Sequence, residues 1–238
     1  MYEERRDEAL KDASDWFAAA SSIVHVEAVT GQFDPSTEYC EPVADFEDER
    51  SKSWSSHLTC ISIFSLSWAG FECVVNGVVD AAEIRRNGKV NAAIAKISSM
   101  SNQLHTLYDE LLEYTNRFSS LIDSISNKHP HHQKALEALK DKTENAASVL
   151  NAIRHLRNAI AHGSFRLPDF DDDGEYKTHI ALVEASTHLL LMAVQNLIFV
   201  SLEGNEQSLE VYFPYNIGEL DHDPMLRDIL LSGSSLLP

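Results

Sequence analysis

A chain of 238 residues, 44% of them hydrophobic, can bury a sizeable core, which excludes disorder throughout. Its formal net charge of −18 excludes broad, sequence-independent affinity for nucleic acid, because most of the surface repels a polyanion. The three cysteines, Cys40, Cys60 and Cys73, form no CxxC pair, and two lie in an apolar helical pattern, which disfavours a disulfide framework or a Cys-based zinc site.

The first residues, Met1 to Phe17, lack a signal-peptide layout, and no uncharged apolar run is read as approaching the ~20 residues that crossing a bilayer needs. The expectation is a cytoplasmic protein without membrane contact. An opening helix is predicted over residues 3–29, running into Gly31, Pro35 and Pro42 of an acidic surface loop that serves as lid or spacer.

From residue 53 the pattern sharpens. Ile61, Phe64, Trp68, Phe71, Val75, Val78 and Ala82 recur at steps of three and four, as the buried stripe of a central helix requires. Asn87 and Gly88 end it. Its polar flank carries Glu72, Asn76 and Glu83, with Glu72 one turn beyond Trp68. Asn91 is placed to cap a third helix in which Ile94, Ile97, Leu104, Leu111, Phe118, Ile122 and Ile125 hold a near-heptad register, with a break around Ser98, Ser99, Ser101 and Asn102.

Residues 127–130 read as a turn, after which a helix from about residue 132 buries Val149, Ile153, Leu156 and Ile160 and ends at Gly163. A second acidic loop, residues 168–175, leads to a long helix with Ile180, Val183, Thr187, Leu190, Val194 and Leu197 on its buried face and Gly204 at its close. The tail holds a strand-like stretch at 211–215 and a short helical turn at 224–231. No internal repeat is present. The expected fold is an all-α bundle of four to five long helices with acidic inter-helix loops. It divides into an N-terminal helix and loop (1–52), the bundle (53–204) and a peripheral tail (205–238). Trp16, Phe17, Trp68 and Phe71 are assigned to the core.

Charge is unevenly spread. Residues 34–50 hold seven acids against Arg50, and residues 169–175 hold five acids without a base. Residues 128–166 reverse the sign, with seven bases (Lys128, Lys134, Lys140, Lys142, Arg154, Arg157, Arg166) against three acids, and five of the eleven histidines join them. That segment suits an anionic ligand, although for Lys134, Lys140 and Lys142 a solvated helix face with ordinary lysines is the favoured reading. His129, His131 and His132 share one turn with a proline and no supporting acid, and read as a polar loop rather than a metal site.

On a helical wheel, Val149, Ile153, Leu156 and Ile160 fix the buried face, while Arg154, Asn158 and His162 fall on the polar side and Arg157 at the edge. Asn158 and His162 are one turn apart, but Arg157 and His162 project about 140° from one another on an ideal helix. They converge only if the helix loosens at Gly163 or if two copies share a cleft across a two-fold axis.

The stretch Leu156-Arg157-Asn158-Ala159-Ile160-Ala161-His162-Gly163 resembles the Arg-x4-6-His signature of the HEPN superfamily. Trp68-Ala69-Gly70-Phe71-Glu72-Cys73-Val74-Val75-Asn76 looks like the acid-bearing earlier helix of some members. The resemblance spans about residues 53–204. It implies a helical bundle, a homodimer that brings two motifs together, and a metal-independent endoribonuclease with no cofactor that leaves a cyclic phosphate, in a toxin or antiviral role. Members of the nucleotide-transferring toxin pairs tend to carry Tyr two residues after the His; Ser164 stands there, so regulation of that kind is not implied.

Metal-free cleavage of RNA needs a group that titrates near neutrality and a fixed cation beside the phosphate. His162 suits the first role, and Arg157, always charged and able to grip two phosphate oxygens, suits the second. Asn158 is placed to orient His162 or to bond the phosphate, and Glu72 to hold Arg157 or His162; Glu72, like Asn76, also reads simply as lining a solvated flank or an interhelical hydrogen bond. Arg154 and Arg166 are candidate RNA contacts. The expected partners are RNA, a second copy of the chain and a cognate antitoxin or regulatory protein. The competing reading is a catalytically silent bundle of the same ancestry that binds a nucleotide or a protein through its acidic loops.

Overall fold

The computed structural model describes residues 2–32, 40–99, 115–116, 118–124, 134–135, 137, 149–165, 167 and 173–202. The protein is all-α. Its elements are α1 (Tyr2–Ser22), α2 (Glu41–Val78), α3 (Ala81–Asn87), α4 (Lys89–Ser98), α5 (Val149–Ala161) and α6 (Asp173–Leu202), and residues 118–124 are helical too.

The core gathers one apolar face from each long element. Phe64, Trp68, Phe71, Val75 and Val78 of α2 meet Ile94 and Ile97 of α4, Phe118 and Ile122, Val149, Ile153 and Leu156 of α5, and Leu182, Val183, Leu190, Val194 and Leu197 of α6. Full burial of such a side chain contributes roughly 1.5–3 kcal/mol, so packing rather than helix propensity orders the bundle. α2 is the central rod, packed against α1, α4 and α6. It lies very close to α1: a Cβ added at Gly70 would sit 2.7 Å from the Phe17 ring, and one at Gly77 would sit 3.2 Å from the Ala9 Cβ. Positions 17 and 9 descend as 70 and 77 rise, so the two helices run antiparallel.

Several expected boundaries move. The opening helix stops at Ser22 instead of continuing to residue 29, and the chain returns along α2 as a strap. The Val26, Ala28 and Thr30 N–H groups donate to the hydroxyls of Thr59 (2.9 Å), Ser55 (2.8 Å) and Ser51 (3.0 Å). Two extended residues advance about 6.6 Å and four helical residues about 6 Å, so alternate amides of the strap meet a hydroxyl on each turn of the helix. The β-branched residues Ile23, Val24, Val26, Val29 and Thr30 favour this extended course.

α2 begins at Glu41, not near residue 53, and runs unbroken through residues 52 and 53. Pro42, expected in a loop, occupies the first turn of the helix, where a missing N–H costs nothing. Half of the first acidic stretch is therefore helix. α2 ends at Val78; Asp80 then caps α3, accepting from the Ala82 N–H at 2.6 Å, and Ala82 is exposed rather than part of the buried stripe. Gly88 (φ +77°), expected with Asn87 to end the central helix, closes the short α3 instead. Asn91 is not the cap of α4 but lies inside it, its amide donating to the Asn87 carbonyl, and α4 ends at Ser98, where the serine-rich break was read. Trp16 faces solvent rather than the core.

By length and composition alone, α2 and residues 176–198 of α6 are apolar enough to cross a bilayer, although charge interrupts both, Glu72 in α2 and Lys177 and Glu184 in α6. α2 is studded with hydroxyls that bond back one turn, as Thr59, Ser62 and Ser65 do to the carbonyls of Ser55, Leu58 and Ile61. Both helices contribute to the core described above.

The readings on Leu104, Leu111, Ile125, the 127–130 turn with His129, His131 and His132, the acidic residues 169–172, Gly204 and the tail lie outside the described residues.

Candidate functional site

Val149, Ile153 and Leu156 bury one face of α5 as the wheel requires, with Ile160 packed at the core edge. The helix closes in a left-handed turn at Gly163 (φ +65°). The N–H groups of Ser164 and Phe165 both donate to the Ala159 carbonyl at 2.9 Å, and that of Gly163 donates to the Ile160 carbonyl at 3.1 Å. The last carbonyls of the helix are thereby satisfied. Phe165 is carried into the interior, where its ring stacks on His57 of α2 (5.4 Å) and meets His179 of α6 (5.3 Å). The motif is pinned to two long helices from just beyond its end.

Arg157 is half-buried at the edge of that face. Its guanidinium lies 6.0 Å from the centre of the Trp68 ring, a separation at which the ring quadrupole attracts a cation. Its Nη1 donates to Asn158 Oδ1 at 3.4 Å, a long bond. Glu72 stands one turn along α2 from Trp68. Its carboxylate accepts from Trp68 Nε1 (2.7 Å) and from Lys89 Nζ of α4 (2.8 Å). Partial burial pushes the Glu72 carboxyl up, but hydrogen bonds from Lys89 and Trp68, with the charges of Lys89 and Arg157, outweigh this and hold it below the usual carboxylate range. Three helices thus build a half-buried group of one carboxylate, two cations and an indole.

The structure brings Glu72 and Arg157 into one electrostatic group, but leaves His162 apart from it. His162 is exposed on the turn after α5, its backbone N–H bonded to the Asn158 carbonyl at 3.0 Å. No hydrogen bond or ion pair joins its side chain to Arg157, Asn158 or Glu72. Asn158, expected to orient His162 or to bond the phosphate, receives Arg157. Arg154 is half-buried one turn before Asn158. Burial and the charges of Arg154 and Lys134 lower the neighbouring His155 imidazole, against an upward pull from Glu137, so basic character gathers on this side of α5. Arg166 lies outside the described residues. No group of three or more His, Cys, Asp or Glu is arranged to hold a metal among the described residues.

Lys89 was not singled out in the sequence. It follows Gly88 in no motif, and only the break between α3 and α4 carries its ammonium to Glu72. The seam of α2 with α6 was also invisible. It holds His57, His179 and the contact of the Cys60 thiol with Glu184 (3.8 Å). Burial first, then the Glu184 charge, pushes the Cys60 thiol up to about 12, which leaves it inert as a nucleophile.

No family model matches the chain, no curated protein is similar to it, and no solved structure matches it.

Proposed function

We propose that the protein is a metal-independent endoribonuclease of HEPN type, acting as a homodimer in which Arg157 and His162 of two copies line one cleft. The observation that carries this reading is the pairing, at one end of α5, of a guanidinium held over Trp68 beside the Glu72 and Lys89 ion pair with an imidazole open to solvent. The two functional groups that metal-free phosphodiester cleavage needs are both within reach of an approaching polyanion. Their divergence along one helix is why a second copy enters the proposal.

In the reaction, the 2′-hydroxyl loses its proton to an imidazole and its oxygen attacks phosphorus. Arg157 offsets the charge growing on the non-bridging oxygens. The bond to the 5′ oxygen breaks as that oxygen takes up a proton from an imidazolium of the pair, leaving a cyclic phosphate and a 5′-hydroxyl. Glu72 and Lys89 act through Arg157 and are positioning residues. A toxin or antiviral role in the cytoplasm, restrained by a cognate antitoxin or regulatory protein, belongs to the same proposal. The acidic surface limits binding to RNA that can enter the basic segment.

The test is incubation of the purified chain with structured and unstructured RNA in excess EDTA. Cleavage that survives chelation and disappears in His162→Ala supports the proposal; cleavage lost with EDTA, or indifferent to His162→Ala, overturns it. A second reading is a catalytically silent bundle that binds a protein or nucleotide. It is favoured by the solvent-exposed acids Glu41, Asp45, Asp48 and Glu49 on the first turns of α2, and it predicts binding without turnover.

A further inference from the structure

The strap offers an edge that no described residue pairs with. Its even-numbered amides, Val26, Ala28 and Thr30, are consumed by α2. In an extended chain successive N–H groups point to opposite edges, so the amides of His25, Glu27 and Val29 face away from α2, and among the described residues no hydrogen-bond partner meets them. Two of the four large apolar side chains exposed among the described residues, Val24 (90%) and Val29 (55%), lie on this strap. An unpaired backbone edge flanked by exposed apolar groups is a template for another strand.

We propose that a second copy of this chain docks there, strap against strap, antiparallel, with Val26 opposite Val26. This register is the self-complementary one. It sets His25 opposite Glu27 in both directions, as pairs exchanging two backbone hydrogen bonds, and brings the Val29 N–H to the Ile23 carbonyl. Each imidazole then lies across from a carboxylate able to accept from it. Val24 packs beside Ala28, and Val29 beside Ile23. Ser51, Ser55 and Thr59 hold the strap on one side of α2, while His57, two residues and about 200° around the helix from Ser55, faces Phe165. Strap pairing therefore leaves the end of α5 uncovered and goes beyond the ribonuclease reading, which requires a separate contact.

Sedimentation of the full chain over a range of concentrations is expected to show a dimer. Glu27→Pro removes the central outward donor, keeps the three amides bound to α2, and is expected to weaken the dimer about tenfold or more. Glu27→Lys, which places an ammonium opposite His25, weakens it as well, and adding His25→Glu restores it, a rescue that damage to the fold would not show. In a Cys40→Ser background, Val26→Cys is expected to form an intermolecular disulfide on mild oxidation, because this pair has Cα atoms about 4.5 Å apart, whereas Val24→Cys, offset along the partner, is not. A chain monomeric at every concentration, a dimer indifferent to both Glu27 substitutions, or equal crosslinking at 24 and 26 overturns the proposal. RNA cleavage is not a readout here: a chain monomeric at every concentration sinks both this proposal and the shared cleft, whereas a dimer indifferent to the Glu27 substitutions, or equal crosslinking at 24 and 26, sinks this one alone.

Discussion

His162 and His57 flank Phe165, one before it in the chain and one beneath its ring, and the fold treats the two imidazoles oppositely. His162 rides on the exposed turn after α5. His57 is fully buried, stacked on Phe165, with neither nitrogen hydrogen-bonded among the described residues, and burial pushes its imidazole down from 6.5 to about 4. A histidine kept neutral and out of reach serves packing, and one left in water at a helix end is available for chemistry. The same residue type serves two ends on either side of one phenyl ring.

Substitution at the two places should separate these roles. His162→Ala, at an exposed position, is expected to lower cleavage by about 10²–10⁴-fold while shifting stability by less than about 0.5 kcal/mol. Assays of RNA cleavage beside thermal unfolding check both halves, and a large loss of Tm in this variant would erase the contrast. Phe165→Ala should do the reverse, costing about 3–5 kcal/mol by opening a cavity between α2 and α6. Its activity loss should follow the folded fraction.

Acid provides a sharper probe of the buried partner. The folded-state value of His57 lies below its ordinary 6.5, so it contributes stability that is fully present above that value and is lost as pH falls towards 4. The full difference, about 2.5 units, corresponds to about 3 kcal/mol. Urea unfolding between pH 7 and pH 4 should show this decline, and His57→Leu should flatten the slope over that window. An unchanged slope in the variant would mean that other groups carry the acid sensitivity.

The Glu72 group should respond more quietly. Glu72→Gln keeps an oxygen for Trp68 Nε1 but removes the charge facing Lys89 and Arg157, and with both side chains about a third exposed the stability cost should stay below about 1 kcal/mol. If Glu72 positions Arg157, KM for RNA should change by several-fold with little change in the pH profile of kcat, and Lys89→Gln should behave alike. A shift in the pH profile would instead place Glu72 in proton transfer.

What could be read beforehand follows the range of each interaction. The stripe from Phe64 to Val78 and the face from Val149 to Leu156 are spelled out at helical spacing, and the left-handed Gly163 is local to its own turn, so the bundle and the end of α5 were legible. The strap was not: the hydroxyls that hold it belong to Ser51, Ser55 and Thr59, more than twenty residues further on, and the apolar content of residues 23–29 reads as one more helical turn. Pro42 misled because the same residue that breaks a helix interior begins one without penalty. Lys89 and the His57 seam escaped for a related reason. Their partners come from other helices, and no spacing within one segment encodes a meeting between two.

The smallest expected effect bears on how firmly the exposed side of the comparison is built. A Cβ at position 163 meets nothing within 4 Å, so Gly163→Ala introduces no clash and its cost is only that of holding an L-residue at φ +65°, about 1 kcal/mol. Thermal unfolding should register that loss. If the turn relaxes to relieve it, the donations of Ser164 and Phe165 to the Ala159 carbonyl weaken, and amide hydrogen exchange at those two positions should speed up while exchange in α2 holds. His162 would then move relative to Arg157 while Phe165 stayed anchored against His57. Cleavage falling by more than the unfolded fraction accounts for would show that the geometry of this turn, and not merely the presence of an exposed imidazole, matters to the chemistry. Cleavage that simply tracks folding would show that the turn positions nothing.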